Sequence, residues 1–346
     1  MSTFDLVMTQ GIEPWHLLGL EAHMLEAVAT KETRPILLIH TLRGRVVSLG
    51  RYHAYDGTPA RADLVAMRRF TGGRVVGSGE GWLGLALILP GRSALLPDRE
   101  KSLKPDQVMN RYVRGLLAGL RDLGLECFYP GRDAITLERR EIAMCTFETD
   151  ASGAILFECV LALNRGMEEV VHDLEHFDPT GQLPCAMYGP DNATKLVREL
   201  DRDVSFNEAA SAIARGYSNL LGGGERRELT PIELAQAERR GVSLEQREWL
   251  RLSADGNLTN RMASQLGSIE ARMKPSADGL IHKIDLIGDI VANSPGISAF
   301  QSALIGRPLD LPSVSTAVMK VFGGSDNFIL GIGELSNLVK LIIRAQ

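Results

Sequence analysis

The amino-acid sequence predicts an α+β fold, in which a mixed, largely antiparallel sheet is flanked by helices. An early helical pattern is followed by many short β-type segments, and helices return mainly in the last third of the chain. These segments do not alternate in the regular way that βαβ winding requires. No period of 20 to 50 residues recurs, so repeat architectures are excluded.

Periodicity places the individual elements. Apolar residues at helical spacing predict helices over 12–30, 61–67, 106–123, 166–176, 205–221, 230–252, 297–305, 314–321 and 334–343. Short apolar or alternating runs predict strands over 36–40, 46–50, 85–89, 125–129, 134–137, 141–147, 154–163, 268–273 and 279–287. We expect 36–40 and 46–50 to form one hairpin around the turn at Arg43 and Gly44, and 268–273 and 279–287 to form another.

Three consecutive glycines, residues 222–224, follow a predicted helix and mark a candidate domain boundary. The sequence therefore predicts a main domain over residues 1–222 and a small α/β accessory domain over residues 223–346.

Composition limits the class of protein. The net charge of −5 argues against a broad nucleic-acid-binding surface. No apolar run approaches eighteen residues, so no membrane span is predicted, and the first residues lack the pattern of a signal peptide. The four cysteines show no CxxC spacing, which favours a reduced, cytoplasmic setting; they are Cys127, Cys145, Cys159 and Cys185.

One stretch is chemically distinctive. Residues 68–84 contain six of the 35 glycines together with Arg68, Arg69 and Arg74. Glycines let a backbone approach a ligand with its N–H groups, and arginines match carboxylate or phosphate oxygens. The stretch therefore predicts a site for an anionic, phosphate-bearing ligand, with a glycine-rich hairpin as the alternative.

This loop also resembles a known family. Arg68-Arg69-Phe70-Thr71-Gly72-Gly73-Arg74-Val75-Val76 resembles the RR-x-[ST]-G-G-[GR]-A-V loop of lipoate–protein ligases, whose catalytic fold is shared with biotin ligases and octanoyltransferases. Residues 46–53 are similar to the family's strand ending in Gly-Arg, and residues 130–133 to its G-R-N-D segment. The tail, including 279–290, is similar to the family's accessory domain.

The resemblance implies an activity. Such a ligase uses ATP and Mg²⁺ to convert lipoate or octanoate into an acyl-adenylate, and then acylates a lysine of a lipoyl-carrier domain. The carrier would be a 2-oxoacid dehydrogenase subunit or a glycine cleavage H-type protein. The implied ligand-binding residues are Arg68, Arg69, Thr71, Gly72, Gly73, Arg74, Val75, Val76, Arg132 and Asp133.

The chain departs from the family's pattern in its key segment, where Arg139 and Met144 replace glycines, and after the glycine loop, where Gly77-Ser78 replaces a histidine. Two departures bear directly on the chemistry. Glu141 stands where the family has its catalytic lysine, and Ala134 stands at the metal-side aspartate. A carboxylate ~4 Å from a bound anion would repel it by several kcal/mol at an intermediate dielectric constant. The sequence therefore assigns no catalytic residue and no metal ligand.

Three interpretations stay open. The first, which we adopt as the best label, is a divergent lipoate–protein ligase. The second is a cysteine-dependent octanoyl or lipoyl transferase, with Cys127 as the nucleophile ahead of Cys145 and Cys185. The third is a non-catalytic relative that binds a lipoyl-type ligand or a carrier domain.

Overall fold

A computed structural model of the chain describes residues 3–55, 63–95, 103–170, 191–245, 249 and 256–345. Its helices are α1 (Pro14–Ala29), α2 (Pro105–Asp122), α3 (Leu196–Glu199), α4 (Phe206–Leu221), α5 (Pro231–Glu245), α6 (Ser294–Leu304), α7 (Leu311–Phe322) and α8 (Leu335–Ile343). Its strands are β1 (Phe4–Ile12), β2 (Ile36–Leu42), β3 (Arg45–Leu49), β4 (Leu64–Arg68), β5 (Val76–Gly79), β6 (Trp82–Leu89), β7 (Ala134–Leu137), β8 (Arg140–Thr149), β9 (Ile155–Ala162), β10 (Gly224–Arg226), β11 (Leu258–Ala263), β12 (Ser268–Pro275), β13 (Ile281–Gly288), β14 (Val291–Ala292) and β15 (Ile329–Leu330).

A seven-stranded sheet, in the order β10-β1-β2-β6-β9-β8-β7, forms the centre of the molecule. β1 runs parallel to β10 and β2, and every other neighbouring pair is antiparallel. One face packs against α2 and α4, and the other packs against α1, α5 and a three-stranded sheet of order β4-β3-β5. This arrangement confirms the predicted α+β fold.

The central strands are buried on both faces. Every residue of β6 and of β9 is buried. Because both faces of the sheet are covered, these strands are apolar almost throughout rather than alternating. Leu85 and Leu87 of β6 contribute to the core beside α2 and α4, and Ala86 and Ile88 to the core beside α1.

The last ninety residues form a second core. β11, β12 and β13 make an antiparallel sheet, and α6, α7 and α8 pack with it around residues such as Phe300 and Leu338. β12 and β13 pair directly, which confirms the predicted hairpin over 268–273 and 279–287.

Residues 224–245 pack on the main sheet. β10 pairs with β1, and α5 lies along α1. The two helices approach closely at glycines, because a Cβ on Gly19 would lie 2.1 Å from the carbonyl oxygen of Ala237. The boundary between residues 222 and 223 stays a prediction, and these contacts favour a boundary after residue 245.

Several predicted elements were wrong. Residues 64–67 of the predicted helix over 61–67 belong to strand β4, which pairs in parallel with β3. Residues 61 and 62 lie outside the described ranges. A seven-residue apolar pattern cannot separate helix from strand, so tertiary pairing decides. Residues 125–129 form only one bridge, between Phe128 and Thr136, instead of a strand.

The predicted hairpin of 36–40 with 46–50 was also wrong. β2 pairs with β1 and β6, whereas β3 enters the small sheet with β4 and β5. Of the predicted helix over 166–176, the structure describes a 3₁₀ turn at Met167–Val170, and residues 171–176 lie outside the described ranges. Within the described ranges, no helix has the length and apolar character needed to cross a bilayer.

Candidate functional site

The glycine loop, defined here as residues 69–75, connects β4 to β5 and lies over the centre of the main sheet. Thr146 of β8 donates a hydrogen bond from Oγ1 to the carbonyl oxygen of Gly72 at 3.1 Å. Thr71 donates its hydroxyl to the Glu158 carboxylate on β9. Two neighbouring strands therefore hold the loop against the sheet.

Arg69 organises the loop from inside. Its side chain is buried, and Nη1 donates to the carbonyl oxygen of Ser48 at 2.8 Å. Nη2 donates to the carbonyl oxygens of Gly72 at 2.9 Å and Arg74 at 2.8 Å. The planar guanidinium thus ties both ends of the turn to strand β3.

Arg68 has a similar role one residue earlier. Its Nη1 donates to the carbonyl oxygens of Gly50 at 3.0 Å and Arg51 at 2.9 Å. Burial, with the nearby charges of Arg51 and Arg69, lowers the pKa of Arg68 to about 10, so it stays charged at neutral pH. Arg69 Nη1 also donates to the hydroxyl of Ser48 at 3.2 Å. A direct contact of either arginine with a ligand stays a prediction.

The loop engages a carboxylate of the protein itself. Glu158 accepts hydrogen bonds from the hydroxyl and the backbone N–H of Thr71, and Arg69 supplies a nearby positive charge. Burial nevertheless raises the pKa of Glu158. The hydroxyl and the N–H of Thr71, which were expected to face a ligand, are therefore directed at a carboxyl group of the protein itself.

Glu21 of α1 is a second buried acid near Glu158. Neither of its carboxyl oxygens accepts a hydrogen bond from the described residues. Burial first, and the Glu158 charge second, raise the pKa of Glu21 well above its usual value. Because an unpaired buried charge is costly, burial favours the neutral form of Glu21.

Arg74 joins the loop to β8, the strand on which Glu141 stands at the position of the family's lysine. Its Nε lies 2.6 Å from Oδ2 of Asp133, and its Nη1 lies 3.0 Å from Oε2 of Glu141. Burial raises the pKa of Glu141, and the Arg74 charge opposes that rise. Glu141 is therefore the partner of a loop arginine, in a group of two carboxylates and one guanidinium.

The second core, formed by the last ninety residues, is called the accessory core here, and it packs directly on the glycine loop. The N–H of Gly73 donates to the carbonyl oxygen of Ile290 at 2.6 Å. A Cβ on Gly72 would lie 1.9 Å from the same oxygen, so only glycine allows this approach. His53 adds a bridge, with Nε2 lying 3.2 Å from the carbonyl oxygen of Gly73 and 3.3 Å from Oδ1 of Asp289.

Glu148, at the end of β8, binds the first turn of α6. It accepts hydrogen bonds from the N–H of Ser294 at 2.7 Å and from its hydroxyl at 3.0 Å. Burial raises the pKa of Glu148 to about 7, against the opposing effects of Arg51 and Ser294. This carboxyl therefore titrates near neutral pH at a junction between the two cores.

A small cavity lies between Asp133, helix α2 and the accessory core. Its volume is about 170 Å³, and its apolar lining includes Met109, Leu266, Val291 and Leu330. Oδ1 of Asp133 is buried and accepts no hydrogen bond from the described residues. Arg132 is exposed and also lines this cavity.

Cys145 adjoins the triad of Arg74, Asp133 and Glu141 through its backbone, since its N–H donates to the carbonyl oxygen of Asp133 at 2.6 Å. Cys127 is partly buried, and burial, with Glu199 and Glu126 nearby, raises the pKa of its thiol to about 12. Cys145 and Cys159 are buried in the core beside α2 and α4, with their sulfurs 3.0 Å apart. Cys185 lies outside the described residues.

The donor set does not fit Mg²⁺. Ala134 occupies the position of the family's metal-side aspartate, and the neighbouring Asp133 is engaged by Arg74. Across the part of the chain that the structure describes, no cluster of three or more histidine, cysteine or acidic residues could hold a metal ion.

The structure thus brings Thr71, Gly72, Gly73 and Arg74 together with Asp133 and Glu141. Val75 and Val76 are buried in the core under the small sheet. Sequence reasoning missed Glu158, Glu21 and Glu148. One signal was available, because Glu158 is a single acid within the otherwise apolar run of β9.

The seven-stranded sheet and the Arg-Arg-glycine loop that covers it agree with the class of lipoate ligase catalytic domains that the sequence resembles. Residues 13–218 match the family model described as lipoyl protein ligase A/B catalytic domain, and the chain belongs to that family.

Known proteins with similar sequence or structure span much of the chain. The octanoyltransferase LipM of Exiguobacterium sp. is 23% identical over 248 residues, covering 63% of this chain and 86% of that protein. The Plasmodium falciparum LipL1 structure in complex with lipoate superposes with a TM-score of 0.72 at 11% identity, covering 98% of this chain and 99% of that one. The bipartite lipoate protein ligase of Thermoplasma acidophilum, solved with its E2 lipoyl domain, gives a TM-score of 0.57 at 16% identity, covering 74% and 100%.

Proposed function

We propose that this protein transfers a lipoyl or octanoyl group to a lysine of a lipoyl-carrier domain, at the junction of the glycine loop and β8. The observation that carries the proposal is the link from Arg74 to Asp133 and Glu141. This link keeps the positive charge of Arg74 beside Glu141, the residue that replaces the family's lysine. Family membership and the similar octanoyltransferase support acyl transfer as the reaction class.

The charge at this junction favours a neutral acyl donor over an acyl-adenylate. Arg74 contributes one positive charge, and Asp133 and Glu141 together contribute two negative charges when ionised. The phosphate of an adenylate would meet a net negative group, whereas a thioester carries no charge at its carbonyl. The donor set does not fit Mg²⁺ either, and the proposed transfer has no step that uses ATP.

The proposed step is a direct acyl transfer. The lysine amine attacks the thioester carbonyl carbon, so that a C–N bond forms and the C–S bond breaks. The proton lost by the amine ends on the released thiol. The backbone of residues 71–74 would border the reacting carbonyl, where fixed dipoles stabilise the developing oxyanion.

Two assays run in parallel test the donor. We expect octanoyl transfer from an octanoyl-thioester carrier protein to a lipoyl domain, seen by intact mass, and no ATP–pyrophosphate exchange with octanoate or lipoate. A lipoyl domain whose acceptor lysine is changed to arginine is the matched control. Exchange by the unaltered protein contradicts the neutral donor, and absence of acylation from either donor contradicts the proposed transfer.

The second candidate is a non-catalytic relative that binds a lipoyl-type ligand. It is favoured by the engagement of Glu158 with the loop and of Arg69 with three backbone carbonyls. It predicts a rise in melting temperature with lipoate or octanoate but no acylated lipoyl domain. The cysteine-dependent route is disfavoured by the raised pKa of Cys127; an octanoyl adduct that is lost in Cys127→Ala would restore it.

A further inference from the structure

We propose that the cavity beside Asp133 binds a primary alkylamine of the size of a lysine side chain. This inference rests on the proposed function in one respect only, because the natural occupant would be the lysine that receives the acyl group. The binding chemistry itself is argued from the cavity.

The size of the cavity selects a short chain. Its volume of about 170 Å³ is below the ~300–1,000 Å³ of cavities that enclose drug-sized ligands. A nucleotide is therefore too large for it. The side chains of Met109, Leu266, Val291 and Leu330 provide apolar contacts for a run of methylene groups.

The polar end of the cavity selects the head group. Oδ2 of Asp133 accepts from Arg74, but Oδ1 is buried and accepts nothing from the described residues. A buried carboxylate oxygen needs a hydrogen-bond donor. An alkylammonium group has N–H donors and no acceptor, and so it satisfies this oxygen directly.

Two further charged residues line the cavity beside Asp133. Arg132 and Asp106 both line it, and both are exposed. Their charges are opposite and solvated, so together they favour neither a cation nor an anion. The preference for a cation comes from the buried group of Asp133, Glu141 and Arg74, which carries a net negative charge when both acids are ionised.

The cavity is placed for delivery to the glycine loop. Val291, which forms part of its wall, has Cγ2 within 3.6 Å of the position of a Cβ on Gly73. An amine held by Asp133 would thus lie on the side of the triad from which it can approach a carbonyl at the loop. Asp133 would act by binding and orienting the amine.

Binding can be measured without any acyl transfer. The probe is n-butylammonium, titrated into the full chain and followed by saturation-transfer NMR. Butyltrimethylammonium is the control ligand, because it carries the same charge but has no N–H donor. We expect saturable binding of n-butylammonium and at least tenfold weaker binding of the control.

Two variants test the location. In Asp133→Asn, the amide oxygen can still accept from Arg74, which turns the amide NH₂ toward the cavity and opposes a cation; we expect at least tenfold weaker binding. Leu330→Trp fills the cavity without changing any charge, and Leu330→Met is its matched control. If Asp133→Asn does not fold, the Leu330 pair decides.

The outcomes are separable from those of the proposed function. Absence of saturable n-butylammonium binding, or binding unchanged in Leu330→Trp, overturns the inference. Amine binding without acylation of a lipoyl domain contradicts the transfer but keeps the site. Acylation without amine binding keeps the transfer and removes the site.

Discussion

Nη1 of Arg74, in the glycine loop, lies 3.0 Å from Oε2 of Glu141, at the start of β8. The two residues are 67 positions apart in the sequence. Their pairing gives the glutamate at the family's lysine position a structural role, since the carboxylate that opposes an anionic ligand also holds the loop to the sheet.

Glu141→Lys should destabilise the protein, because it removes a partly buried ion pair and places a second cation beside Arg74. We expect a loss of about 3 kcal/mol in the free energy of unfolding, measured with urea. Arg74→Gly combined with Glu141→Lys should lose less than the sum of the single changes, since the new lysine can then pair with Asp133. Additive losses would contradict direct coupling of the two positions.

Arg69→Lys should cost about 2–4 kcal/mol although the charge is kept. A lysine cannot reproduce the fork that bonds the carbonyl oxygens of Ser48, Gly72 and Arg74. The matched control is Arg132→Lys at an exposed position, where a change within ~0.5 kcal/mol is expected. Equal denaturant midpoints for the two variants would show that the fork does not stabilise the loop.

Cys127 should alkylate slowly in the folded protein. Its thiol pKa is raised from 9.0 to about 12, so at pH 8 the thiolate is about 1,000-fold rarer than in the unfolded chain. Iodoacetamide labelling, followed by peptide mapping, should show at least a hundredfold rate increase on unfolding in urea. A folded-state rate within tenfold of the unfolded one would instead mark Cys127 as an activated thiol.

Glu148→Gln should change how stability depends on pH. The pKa of Glu148 is raised from 4.5 to about 7 on folding, so between these values the folded state binds more protons than the unfolded state. Its contribution is full below about pH 4.5 and is lost as the pH rises through about 7. Relative to Glu148→Gln, the unaltered protein should lose about 3 kcal/mol between pH 4.5 and 8.

Urea unfolding of the two proteins across that pH range measures the difference. Taking the difference removes the contributions of Glu21, Glu158 and Glu141, whose pKa values are raised in the same direction. Parallel pH profiles would show that Glu148 does not titrate in this window.

The sequence predicted the elements whose own residues determine them. The apolar run that became β6 and the helical spacing over 205–221 that became α4 were both recognised from local pattern. β4 was assigned wrongly, because its short apolar pattern fits a helix equally well until β3 lies beside it. The hairpin of 36–40 with 46–50 failed because β2 finds both its partners elsewhere.

The site was predicted at the level of its loop but not of its contacts. Arg69 and Arg74 were expected to face a ligand, whereas Arg69 binds backbone carbonyls and Arg74 binds Asp133 and Glu141. Such pairings depend on strand register and on which side chains are buried together. Neither property is encoded in the spacing of residues along the chain.

The contact between Gly72 and Ile290 has a consequence for how this chain could change over time. Any side chain at position 72 would strike the carbonyl oxygen of Ile290. The glycine is thus constrained by the C-terminal part of the same polypeptide as well as by any ligand at the loop. In a related chain without this C-terminal part, the Ile290 carbonyl would no longer restrict residue 72 to glycine. A side chain at position 72 would therefore indicate the loss of a segment more than two hundred residues away in the sequence.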